Sequence, residues 1–223
     1  MSDHAVALGT GPSTQTSAHS TATLLGRVMS LVALAIGVGT VGAAAGRDHG
    51  PGAALALTFG AVGMLLVQAF AGKRFRVGPF AVAWLVLVAF VLGLGLGPTI
   101  SYYASADPMA VVEAAGVTAL VVVSVATIGF AIGRDLVGWL RVLSWIVLGV
   151  VVAGTVLLLV TGAGSPVLSL GIAVVSALLI LADFNYLRHH GTDEDAVVLA
   201  TGIFVSIVNL FVSLIDLFSL DGR

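Results

Sequence analysis

An all-α bundle of seven membrane-spanning helices is the fold class this sequence predicts, and three observations predict it. Hydrophobic residues fill 59% of the 223 positions and charged residues only 9%, against about a quarter charged in a soluble domain. The apolar residues fall into seven runs, each near the roughly 20 residues that a helix needs to cross a bilayer. The segments between the runs are short, so no soluble domain is inserted and function has to lie within the bundle.

Residues 1–23 are rich in Ser, Thr and Gly without periodicity, and a disordered tail is expected there. Span one, residues 24–46, is too long for the core of a signal peptide and has no convincing cleavage site, so it stays as the first helix. RDHGPG separates it from span two (52–72), and KRFR separates that from span three (78–100). A SYYASADP turn leads to span four (110–132), GRD to span five (137–160), TGAGSP to span six (166–187) and RHHGTDED to span seven (196–219). Residues 24–219 thus form one transmembrane domain, and 220–223 a short C-terminal tail. Seven of the nine basic residues (Arg27, Lys73, Arg74, Arg76, Arg134, Arg141 and Arg188) fall on the side of the N-terminus, with Arg47 and Arg223 on the other. The positive-inside rule then sets a multi-pass protein in the cell membrane with a cytoplasmic N-terminus and an extracytoplasmic C-terminus.

The polar residues inside the spans recur on faces. Gly202, Ser206, Asn209, Ser213 and Asp216 follow steps of three or four in span seven. Ser169, Ser176 and Asp183 recur every seven residues in span six, and Glu113, Gly116, Ser124 and Thr127 share a face of span four. Such stripes suggest an interior that lipid does not touch; small and polar residues that merely help helices pack would give the same pattern. Ionisable groups weigh more, because a carboxylate costs roughly 2.5–3.5 kcal/mol at a helix centre and somewhat less toward its end. Asp183 is the sharpest case. It lies one turn inside the end of span six, with Arg188 five residues on and the Lys73–Arg76 cluster at the same side. Burial raises a carboxyl pKa and a nearby cation lowers it, so a proton-responsive gate is one reading. A helix-end Asp extending to the headgroups is the other.

Several motifs do not carry chemistry. GVGTVG (Gly37–Gly42) lies within a span rather than after a strand and is not a dinucleotide site. GAAAG (Gly42–Gly46) reads as a close helix-packing motif. The sequence has no cysteine, which excludes disulfides, thiolate metal sites and cysteine nucleophiles. The five histidines are expected outside the spans, which argues against an intramembrane metal centre, and the single lysine, Lys73, lies in a loop, which excludes a Schiff base in span seven. No enzyme activity and no cofactor are expected. RHHGTDED reads as a solvated loop, with pH sensing or cation capture as the other reading.

The chain resembles the Bax inhibitor-1 (transmembrane Bax inhibitor motif) family of seven-helix membrane proteins, bacterial members included. The residues that carry the likeness are GPTISYYAS (Gly97–Ser105), VVEAAGVTAL (Val111–Leu120), LADFNYLRHH (Leu181–His190) and FVSIVNLFVSLIDLF (Phe204–Phe218). The resemblance implies a bundle in which six helices surround a central span seven, and a pH-influenced calcium leak. In family members that leak, two aspartates near the cytoplasmic ends of spans six and seven share a proton. Asp183 matches the first, which implies a gate and a place for calcium. A basic residue at the end of span two switches between ion-paired states, and Lys73 or Arg74 falls there. Glu113 matches a family glutamate, and Asn209, Ser213 and Asp216 fall on the stripe expected to line the pore or bind cations. At the second aspartate the family reads L-D-x-x-N-L-F and this chain reads VSIVNLF, so Ser206 stands in its place, and Asp216 stands where the family often has arginine. The expected function is a pH-influenced calcium or cation leak gated near the ends of spans six and seven. The alternative is a non-conducting interaction protein that modulates a membrane protease or a stress or cell-death pathway. Membrane lipid and calcium or another cation are the expected partners, with a membrane protease in the alternative and no nucleic acid.

Overall fold

Proline sets the start of four of the helices. A proline at the first helical position gives up an N–H that has no partner within the helix anyway, and its fixed φ is already helical. The computed structural model describes the backbone of residues 13–70, 72–161 and 165–221, and the side chains of 21–70, 72–154 and 165–219. Its helices are α1 (Ser13–Gly46), α2 (Pro51–Phe70), α3 (Pro79–Ala106), α4 (Pro108–Ala131), α5 (Val137–Thr161), α6 (Pro166–His189) and α7 (Ala196–Asp221). All seven are long and apolar enough to cross a membrane, and no strand occurs among the described residues.

Three boundaries differ from the sequence reading. The first helix begins at Ser13, inside the segment expected to be a disordered tail; residues 1–12 lie outside the described residues. The helix of span three runs through Pro98 to Ala106, so the expected turn contracts to Asp107. Asp107 ends one helix and opens the next, its Oδ1 accepting from the Ala110 N–H at 3.1 Å, and Pro108 follows as the first residue of α4. The sixth helix continues through Arg188 to His189, so that histidine is helical, as is His19 in α1.

Glycine determines the tightest packing. Where α1 crosses α3, a Cβ at Gly42 or Gly93 would lie under 3.0 Å from backbone of the facing helix, and the same holds for Gly46 and Gly97. GAAAG therefore does pack helices. Gly46 meets the carbonyl of Leu94, the group whose i+4 donor Pro98 removes. A Cβ at Gly129 would collide with the backbone of Leu181, which brings α4 equally close to α6.

The seventh helix is the most deeply buried of the seven and packs against α6, α4, α1 and α3. The fifth packs against α6 instead, so the expected ring of six around α7 is incomplete. It is also the least buried helix, with Trp139 and Trp145 facing outward.

Candidate functional site

The α6–α7 end of the bundle carries Asp183. Its Oδ2 lies 3.4 Å from where a Cβ would stand on Gly202, so the carboxylate rests against bare backbone of α7. Asp183 is partly exposed, and it makes no hydrogen bond or ion pair among the described residues.

The basic residues expected beside it are engaged elsewhere. The Arg188 guanidinium donates to the Phe130 carbonyl and lies over the Phe130 ring. Lys73 pairs with Glu194 at 3.3 Å and Arg76 with Asp195 at 3.9 Å, while Arg74 sits 5.0 Å above the Phe80 ring. Phe80 belongs to an aromatic cluster with Phe75 and Trp84 that fixes the α2–α3 connection. RHHGTDED is therefore not simply a solvated loop. Glu194 and Asp195 strap it to the α2–α3 connection, Asp195 also accepts from the Thr192 hydroxyl, and His190 meets Asp135 of the α4–α5 connection at 2.8 Å.

Asn185, two residues beyond Asp183, was not among the residues singled out in the sequence. It is fully buried, and its amide donates to the carbonyls of Gly129, Ile132 and Arg134 while its Oδ1 accepts from the Leu136 N–H. The signal was a lone amide in an apolar run beside an aspartate. Its interaction holds the end of α4 in place and positions the helix that presents Asp183.

Ser206 lies one turn from Gly202 on α7 and is buried, as is Ser213, while Asn209 is half-buried. At the opposite end of the bundle, Asp216 accepts from the Tyr103 hydroxyl at 3.0 Å and from the Ser169 hydroxyl. One carboxylate thereby ties α7 to α3 and α6. Tyr103 is a second partner that the sequence reading passed over, since it lay in the supposed turn.

The stripe read in span four faces outward instead. Glu113, Gly116, Ser124 and Thr127 are all exposed, whereas Ala110, Ala114, Thr118 and Gly129 form the inner face. Small side chains let α4 approach α6 and α7 closely, and the carboxylate near the start of the helix turns away from that contact. Glu113 does not join the interior polar residues.

Among the described residues no three His, Cys, Asp or Glu side chains gather where they would hold a metal ion. Calcium takes about six to eight oxygens in a resident site, and Asp183 brings a single carboxylate.

Seven apolar helices, the seventh of them buried and polar-striped, define an integral, multi-pass membrane protein. A family model described as "Inhibitor of apoptosis-promoting Bax1" matches residues 21–223. The chain belongs to that family, Bax inhibitor-1.

Proposed function

We propose that the chain is a pH-influenced cation leak, with calcium as the permeant ion and Asp183 as the gate residue. The observation that carries this reading is the Asp183 carboxylate itself, partly exposed at the α6–α7 end and without a charged partner among the described residues. An unpaired anion attracts a cation when ionised and stops doing so when protonated. Ser206 takes no part in proton sharing, so the gate works with one carboxylate, and Gly202 leaves space beside it. Lys73 acts on the gate only if its pair with Glu194 opens, and Arg74 only if it leaves the Phe80 ring. The reading gives the protein no catalytic role. Lys73, Arg74, Arg76, Arg134 and Arg188 all lie at this end, which supports a cytoplasmic face there and a cytoplasmic N-terminus.

Calcium entry into liposomes containing the purified protein tests it, at roughly pH 6, 7 and 8, for wild type and Asp183→Asn, which mimics a permanently neutral carboxyl. Wild type is expected to leak in a pH-dependent way and the variant to lose that dependence. If neither raises calcium entry above protein-free liposomes, the channel reading fails and a non-conducting interaction protein takes its place.

A further inference from the structure

The α2–α3 connection stands at the depth of the lipid headgroups. The α2 helix has 20 residues, and at about 1.5 Å per residue they cover about 30 Å, the thickness of the hydrocarbon core. The connection follows at once as a single 3₁₀ turn, Lys73–Phe75, and α3 starts at Pro79. Gly72 and Gly78 bracket the turn with φ of 81° and 89°. Those left-handed conformations suit glycine, and they let the chain reverse within residues 71–78.

Charge is divided unevenly across this turn. Lys73 pairs with Glu194 and Arg76 with Asp195, so two of its three cations have a carboxylate. Arg74 has none among the described residues. It is exposed, and its guanidinium lies over the Phe80 ring. Phe80 is itself held by the edge of Phe75 at 5.1 Å and by stacking with Trp84 at 6.2 Å. The ring gives the guanidinium a seat but no oxygen, so a planar fork of N–H donors, matched to two oxygens of a phosphate, is left for another partner. Arg134 and Arg141 are exposed at the same end, and among the described residues neither lies over an aromatic ring.

A second observation comes from α2 itself. Phe59, Gly63, Leu66, Val67 and Phe70 follow helical steps on one face, and all are exposed. A Cβ on Gly63 would meet nothing within 4 Å, which leaves a gap between Phe59 and Leu66. From Phe59 to Phe70 the face runs about 16.5 Å, close to half the hydrocarbon core and thus to the reach of one acyl chain. It ends at the turn that carries Arg74. A cation with free donors at headgroup depth therefore stands at the head of an apolar track one leaflet long. An anionic lipid brings both a phosphate and acyl chains, whereas the ammonium of a choline headgroup would face a positive charge.

We propose that Arg74, seated on Phe80, binds the phosphate of an anionic phospholipid whose acyl chain lies along the Phe59–Phe70 face of α2. This site stands apart from any movement of calcium through the bundle.

Native mass spectrometry of the protein in detergent with equal amounts of phosphatidylglycerol and phosphatidylcholine tests it. Wild type is expected to retain phosphatidylglycerol in about fivefold excess. Arg74→Gln removes the fork, and Phe80→Leu removes its seat while keeping every charge. Each is expected to remove most of that excess, and Arg141→Gln to leave it at the wild-type value. Either of the first two can decide if the other fails to fold. Equal retention of the two lipids by wild type overturns the proposal. So does a wild-type ratio in Arg74→Gln or Phe80→Leu at wild-type helicity. An equal fall in Arg141→Gln also overturns it, because net charge and not the seat would then select the lipid. Inorganic phosphate at the concentration of the lipid is expected to displace none of the phosphatidylglycerol. Displacement would mean that the site takes a free anion, and the lipid assignment would fall.

Discussion

Removing the Asn185 side chain leaves the carbonyls of Gly129, Ile132 and Arg134 and the N–H of Leu136 without their shared partner. A hydrogen bond contributes about 1 kcal/mol net, and each buried group left unsatisfied costs about 1–3 kcal/mol. Asn185→Ala is therefore expected to lose about 2–4 kcal/mol, read as a fall in thermal midpoint in detergent; an unchanged midpoint would show that the corner holds without the amide. Asp135, on the α4–α5 connection outside the membrane spans, makes a separate prediction. The Val137 N–H, and then His190, hold its carboxyl below the usual range. A depressed acid contributes stability above its unfolded pKa of about 3.9 and loses it as pH falls through the lower folded value. The contact should thus persist at neutral pH and open only in acid. A carbon-13 titration of the Asp135 carboxyl is expected to show a midpoint below about 3.9, and a midpoint above that sinks the assignment.

The α1–α3 seam shows how one motif was legible from the sequence while its partner was not. Gly42 and Gly46 stand four apart in α1 and announce close packing, but the helix they press on is given only by the structure, through Gly93 and Gly97. Gly93→Ala pushes a methyl into the backbone of Gly39 and is expected to cost about 1–3 kcal/mol. Gly116→Ala meets nothing within 4 Å and is expected to gain up to about 1 kcal/mol from helix propensity. Thermal unfolding of both variants should move in opposite directions; a shift of the same sign would mean that the seam tolerates separation. Glu113 was misread because helical periodicity identifies residues that share a face without saying which face is inside. Small apolar residues decide that, and Ala110, Ala114 and Gly129 outweighed the polar stripe. The end of α3 was misread for a different reason. Ser, Tyr and Asp favour turns, but only Asp107 followed by Pro108 combines a cap with a break strong enough to stop a helix.

At the scale of the whole molecule, seven spans, their order and the burial of α7 were all readable, because bilayer thickness fixes helix length and leaves a plain signature in composition. The charge pairs between loops were not readable, since they join segments far apart in sequence. Lys73–Glu194 and Arg76–Asp195 strap the α6–α7 loop to the α2–α3 connection, and His190–Asp135 joins it to the α4–α5 connection. Exposed pairs contribute little individually and are screened by salt. Replacing Lys73 and Arg76 together by Gln is expected to leave the thermal midpoint nearly unchanged and to speed hydrogen exchange in residues 190–195 several-fold. Exchange at the wild-type rate would show that the loop is held by its helix ends alone.

The placement of α5 outside α6 has an optical consequence. Two of the three tryptophans, Trp139 and Trp145, stand on its exposed face, and the third, Trp84, donates to the Met64 carbonyl at the contact between α2 and α3. Intrinsic fluorescence therefore reports the lipid side of α5 and one fixed helix contact, while the α6–α7 seam, which has no tryptophan, is dark. With Trp139 and Trp145 replaced by Phe, a single tryptophan placed beside the seam would be seen against Trp84 alone, and its emission would register the hydration of the bundle's interior.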